Sequence, residues 1–424
     1  MAIGITIANK GMDNKQNINK ECLVKKHNYP VAIALLISPY AMAEIPVYDK
    51  DGYTFGVDGW VILNASSTRG DAEGNDAFRI TSGDSPNMVG FNFGVPESQG
   101  IKASARLGLR INPHSGEGNY KNLGNVGSTA SKSLDPREIY ATFDGDFGQI
   151  VIGKQYSIFN GRPVLADASV LAGGFFVYDI ANDGGALGAG SLHSGYLYAN
   201  FNSGIRYNSP TDSSVKFSVG LYDPSTIQSI LPSVKSTPVA SKTTSPRFEA
   251  DLSYGQDFEG GNFLLYADTI YQSAENCTVS GVTCASGSKV EASGYSAGVS
   301  LNYGSFSLFA SGFKGEGLGS ALQLDFDSLD DSGRERESSG YWLQTTVNVT
   351  TDTLLRLSYG ETKIDPTNAT AGHKAKGTVF GVYHNYNDHI ALYTEVGRSE
   401  FDLNPVFGIA TETDYVTVGT RFMW

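Results

Sequence analysis

The chain runs to 424 residues, with 31 basic side chains against 44 acidic ones and a formal net charge of −13. So acidic a surface excludes nucleic acid as a partner, because phosphate binding needs clustered Lys and Arg. Fifty Gly, 23 Tyr, 22 Phe and only five Met describe a β-rich, turn-rich chain with few long helices.

Residues 1–43 read as an export segment. Lys10, Lys15, Lys20, Lys25 and Lys26 lead into an apolar run from about Val31 to Tyr40, then into Ala41-Met42-Ala43, the small-residue pattern of a signal-peptidase site. A membrane anchor is the rival, but the run is far shorter than the roughly 20 residues of a spanning helix, and Pro30 and Pro39 interrupt it. A mature chain over 44–424 would carry 26 basic residues (31 less five) and 42 acidic ones (44 less Asp13 and Glu21).

After Glu44 no apolar run reaches spanning length, so any passage through a membrane is made by strands. Alternating segments recur along the chain. Ser214 to Tyr222 sets Val215, Phe217, Val219 and Leu221 against Lys216, Ser218 and Gly220. Arg247 to Tyr254 opposes Arg247, Glu249 and Asp251 to Phe248, Ala250 and Leu252, and Gly294 to Tyr303 repeats the pattern. The last segment puts Val416, Val418, Thr420, Phe422 and Trp424 on one face, with Arg421 on the wet one. Sixteen such segments begin near residues 53, 87, 100, 136, 148, 200, 214, 246, 261, 293, 305, 338, 353, 376, 389 and 413. The edge of a soluble sandwich would explain one such strand. It does not explain connections that alternate short and long, which is the habit of outer-membrane barrels. The expected fold is therefore all-β, a 16-stranded antiparallel transmembrane barrel with both chain ends on the periplasmic side. Eight strands fill their own interior, while sixteen leave an aqueous channel.

The third long connection, from about Ile158 to Ala199, carries Leu165, Val170, Leu171, Phe175, Phe176 and Val177. These are poor company for bulk water, so this loop is expected to fold inward and narrow the barrel. Further along, Cys277 and Cys284 predict a small disulfide clip in an exported protein, with two free thiols the alternative. Metal ligation is disfavoured because no His or third Cys lies near. The acidic run Asp325, Asp327, Asp330, Asp331, Glu335 and Glu337 reads as a hydrated loop, or else as a site for divalent ions bridging lipopolysaccharide. His373, His384 and His389 lack ligand spacing and read as incidental.

Pro136 to Tyr156 (PREIYATFDGDFGQIVIGKQY), GIRYNSP at Gly204 to Pro210, GVYHNY at Gly381 to Tyr386 and VGTRFMW at Val418 to Trp424 resemble the trimeric general porins of Gram-negative outer membranes. So does AEIPVYDKDGYTF from Ala43 to Phe55, and the likeness spans 44–424 in the right order. The resemblance implies a homotrimer in outer-membrane lipid and lipopolysaccharide, each barrel narrowed by a third external loop, with basic wall side chains facing loop acids. Carried over by position, the wall is Arg137 and Arg206, joined by Lys102, Arg106 and Arg110, all opposite the face bearing Ala103, Ala105, Leu107 and Leu109. The loop offers Asp167, Asp179 and Asp183, and Lys154 is a further candidate of ambiguous face. The chain departs from the family where Met88 and Asn92 stand in place of Arg and Lys, and where Trp60 stands in place of a common Lys. It also has Leu171-Ala172-Gly173-Gly174 in place of a frequent PEFG. A wall less basic than usual points to weak cation preference.

The function expected is passive diffusion of small hydrophilic solutes and ions, with no cofactor. A substrate-specific channel, for sugars for example, is the alternative, motivated by Trp60 and Trp342 on inner faces. An enzyme is not expected: no G-x-S-x-G, no H-E-x-x-H and no Ser with a nearby His/Asp pattern occurs.

Overall fold

The computed structural model describes residues 44–71, 76–82, 87–111, 134–170, 172–173, 175–178, 187–189, 191–192, 194–229, 237–325, 327–402 and 412–424. The export segment read over 1–43 lies outside the described residues. Sixteen strands form the wall. They are β1 (Tyr53–Gly70), β2 (in two pieces, Ala77–Thr81 and Asn87–Gly94), β3 (Lys102–Ile111), β4 (Leu134–Gly145), β5 (Gly148–Tyr156) and β6 (Phe201–Asn208). There follow β7 (Val215–Tyr222), β8 (Arg247–Phe258), β9 (Gly261–Val279), β10 (Val290–Tyr303) and β11 (Phe306–Glu316). The last five are β12 (Glu337–Asn348), β13 (Thr353–Ile364), β14 (His373–Asn385), β15 (Ile390–Phe401) and β16 (Glu412–Met423). Their starts lie within three residues of the predicted ones, except that β2 begins at Ala77 rather than 87.

Each strand pairs antiparallel with the next, and β16 returns to β1 through Trp60↔Met423 to Gly70↔Thr413, so the ring closes. Closure matters because an open edge in lipid would leave backbone N–H and C=O groups without partners. A short segment, Ile45–Lys50, folds back on β1 through the Asp51-Gly52 turn and pairs Ile45 with Val57. The Asp-Gly pair suits that turn because both residues take positive φ, 55° and 81°.

Alternation sorts the side chains as the period predicts. On β1, Val61, Leu63 and Ala65 are exposed while Trp60, Ile62, Asn64 and Ser66 are buried; on β16, Val416, Val418 and Phe422 point out and Tyr415 and Thr417 in. The outward face is an apolar band with aromatic margins. Tyr295 and Tyr303 mark its two edges on β10, both well exposed. Eight residues of a strand tilted by about 40° span about 20 Å, close to the hydrocarbon height such barrels match. Short turns such as Asp146-Phe147 and Gly304-Ser305 gather at the end where β1 begins and β16 finishes.

The connection between β5 and β6, which leaves from the opposite end, holds α1 (Gly161–Ala166).

Candidate functional site

Two features occupy the inner face: a row of arginines on β3 to β6, and a long connection fastened to the far wall. Arg106 lies flat across β2, reaching Asp58 on β1 at 2.6 Å while its Nε meets Glu138 on β4 at 3.3 Å. Glycines at 90 and 108 leave the space for it. A Cβ at Gly90 would collide with the Asp58 carboxylate and the Arg106 guanidinium, and one at Gly108 with the Glu138 carboxylate. Asn92 completes the group, donating to Asp58 Oδ2 at 2.7 Å and accepting from Arg106 Nη1 at 2.7 Å. Arg110 packs over the Trp60 ring at 4.3 Å and meets Glu138 at 3.5 Å.

Arg137 sits at a β-bulge, where the pairing with β3 shifts between Gly108 and Leu109. The extra residue lets it join Glu138 on the inner side, which simple alternation forbids. It pairs with Asp135 at 2.7 Å and donates to the Tyr198 hydroxyl at 3.2 Å. Arg206, opposite Val151 of β5, donates to the Tyr156 carbonyl at 3.2 Å and forms no ion pair among the described residues. Lys102 does not join this row. It is exposed at the short-turn end of β3, opposite Asp144. Lys154 is on the exposed side, with its ammonium on the Pro136 carbonyl at 2.8 Å.

The sequence reading missed Asp58 and Glu138, the acids that neutralise this row. Both stood in the alternation, on the same face as Trp60 and beside Arg137, but nothing local tells which cation they meet.

The third connection is fastened residue by residue. Glu249 of β8 accepts the backbone N–H groups of Ile158 (2.7 Å) and Phe159 (2.9 Å). Arg162 forms a two-pronged pair with Asp251 of β8, the closest approach being 2.8 Å. Gln344 of β12 donates to the Ala166 carbonyl (2.7 Å) and accepts from Ala168 N–H (3.1 Å). Asn64 of β1 donates to the Ala172 carbonyl at 3.0 Å. Asp167 does not reach the arginine row: it meets Arg356 of β13 at 2.7 Å and accepts a hydrogen bond from the Tyr196 hydroxyl at 2.6 Å. Arg356 is fully buried, with Glu395 and the Ser169, Ser191 and Ser358 hydroxyls also around it. Asp179 and Asp183 lie outside the described residues.

A second connection was misread. The acidic run after β11 is not a hydrated loop. Asp325, Asp327 and Asp330 are each about 1% exposed or less. Asp327 meets Arg336 at 2.8 Å and lies 3.4 Å from His373, which is buried and stacked on Phe401, so His373 is not incidental. Asp330 accepts from Ser332 N–H and Oγ and from Arg334 N–H at 2.7–2.9 Å. Burial alone would raise that carboxyl; these donors, with Thr367, outweigh it and hold it below the ordinary carboxylate range. The loop packs on the third connection, where Gln323 donates to the Phe159 carbonyl and Tyr198 N–H to the Ala321 carbonyl at 2.8 Å. The sulfurs of Cys277 and Cys284 are bonded and press against Gly333 of the same loop. No cluster of three or more metal ligands occurs among the described residues.

A closed sixteen-strand ring, apolar outside and polar inside, with a connection anchored on inner-face side chains, defines a membrane barrel of the channel-forming kind. Solved structures share that architecture at low identity. An outer-membrane channel, DcaP of Acinetobacter baumannii, superposes with TM-score 0.63 at 14% identity, over 90% of this chain and all of its own. The anion-selective porin from Comamonas acidovorans gives 0.59 at 15% identity, over 88% and 100%. OmpF of Salmonella typhi, solved with daunomycin, gives 0.59 at 13% identity, over 90% and 100%. No curated protein matches the chain. The family model described as Gram-negative porin matches residues 31–404, and the chain belongs to that family. It is a multi-pass outer-membrane protein.

Proposed function

We propose that the protein is a passive, water-filled diffusion channel for small hydrophilic solutes and ions, with a weak cation preference, assembled as a homotrimer after removal of residues 1–43. The observation that carries the reading is the closed ring of sixteen strands with a polar inner face. In this reading the third connection narrows the lumen, and the passage runs between it and the row of Arg106, Arg110, Arg137 and Arg206. Stepwise ohmic conductance from purified protein in planar bilayers is the test, and its absence would sink the proposal. A native gel with and without boiling reads the trimer.

The cation preference rests on this chain's own charges. Asp58, Glu138 and Asp135 offset three of the four arginines, and Met88, Asn92 and Trp60 stand where the family the chain resembles carries basic residues, so the wall is less basic than usual. Arg206→Glu is expected to raise cation preference; an unchanged reversal potential in a salt gradient would place Arg206 outside the constriction. Charged residues that steer ions also orient dipolar solutes. The substrate-specific reading draws on one observation, that Trp60 and Trp342 are both buried on the inner face.

A further inference from the structure

The segment folded back on β1 carries a charge onto the inner face. Ile45 pairs with Val57, so the residue before it, Glu44, comes level with Asp58, and alternation turns both side chains inward. Two contacts hold the Glu44 side chain there. Its Oε2 accepts a hydrogen bond from Asn92 Nδ2 at 3.1 Å, and its carboxylate lies over Gly56, where an added Cβ would collide with it. The same Asn92 nitrogen donates to Asp58 Oδ2 at 2.7 Å, while the Asn92 carbonyl accepts from Arg106. One amide thus spends its two hydrogens on two carboxylates of the wall. Arg106 and Arg110 balance Asp58 and Glu138, whereas no cation among the described residues pairs with Glu44. The amide holds that carboxylate in place without cancelling its charge, as a lysine at position 92 would. Exposure points the same way: Asp58 is 4% exposed and screened by its partners, but Glu44 stands open to water.

We infer that Glu44 is a selectivity residue of the channel, a fixed negative charge on the lumen wall that favours passing cations. The inference rests on the diffusion-channel reading and gives its cation preference a particular side chain. Removal of residues 1–43 puts an α-ammonium on the same residue, and substitutions of the side chain leave that ammonium in place.

Reversal potentials of the purified protein in planar bilayers read it, with intact mass showing that parent and variants start at the same residue. Glu44→Gln is expected to lower the cation-to-anion permeability ratio roughly threefold, the effect of one unit charge about 6 Å from an ion in water, and Glu44→Lys about tenfold. Gly56→Ala changes no charge. Its methyl displaces the Glu44 carboxylate, so the ratio is expected to fall in the same direction by less. Salt separates charge from shape: the Debye length drops from about 10 Å at 0.1 M to about 3 Å at 1 M, so the differences between parent and variants fade at the higher salt. A ratio equal in parent, Glu44→Gln and Glu44→Lys overturns the assignment and leaves the diffusion reading standing. Shifts that persist in full at 1 M salt overturn it too, because they come from a reshaped passage. A parent that conducts nothing overturns both.

Discussion

At the scale of single residues, the decisive arrangement is the alternation of sign along the inner face of β1 to β4. Asp58, Arg106, Glu138 and Arg110 form a chain of ion pairs between 2.6 and 3.5 Å, each cation shared by or touching an acid of another strand. A unit charge about 6 Å from an ion in water is worth about 0.7 kcal/mol. Glu138→Gln therefore moves the cation-to-anion permeability ratio toward anions by roughly threefold or more. The reversal potential in a salt gradient measures it, and no movement would mean that passing ions do not feel this row. The charged residues themselves were legible in the sequence, since alternation places Arg106 and Arg110 inward. Their partners were not: Asp58 is 48 residues from Arg106, and only the lateral register of three strands brings them together.

At the scale of elements, the strands were legible almost completely and the connections only in part. Strand starts follow from side-chain period alone, which is a local signal. Anchoring of the third connection depends on contacts such as Glu249 with Ile158, 91 residues apart, and Gln344 with Ala166, 178 apart, which no local pattern encodes. The acidic run after β11 was misread for the same reason. A run of Asp is ordinarily solvated, yet here backbone N–H groups, Arg336 and His373 meet it in a packed interior. Arg356 is the fastening that most invites disruption. Arg356→Leu leaves Asp167 and Glu395 buried without their cation, a loss of about 3–5 kcal/mol. The expected result is a connection released from the β13 wall, seen as a larger and noisier single-channel conductance; conductance equal to the parent's would show that the connection does not limit the passage.

At the scale of the whole molecule, the connection after β11 packs on the third connection at the far end of the barrel, and its hold depends on Asp330 being ionised. Asp330 has its pKa depressed by its hydrogen-bond donors. A depressed carboxyl stabilises the folded state above its unfolded value, about 3.9, and that contribution is lost as pH falls through the lower, folded value. Limited proteolysis near residue 334 should therefore be slow at pH 6 and accelerate only below about pH 4; acceleration between pH 5 and 7 would point to a different group. The opposite end of the barrel works by geometry rather than charge. Ile45–Lys50 occupies the edge of β1 as far as Val57, and Trp424 exchanges backbone hydrogen bonds with Gly59 at 3.0 and 3.1 Å. Only Asp58 separates the two. A strand that slips in its sheet must move by two residues to keep its greasy side in lipid, and here the next two places are already taken. The folded-back segment is thus a doorstop: it lets β16 zip along β1 in a single alignment, and sets the shear of the closed cylinder.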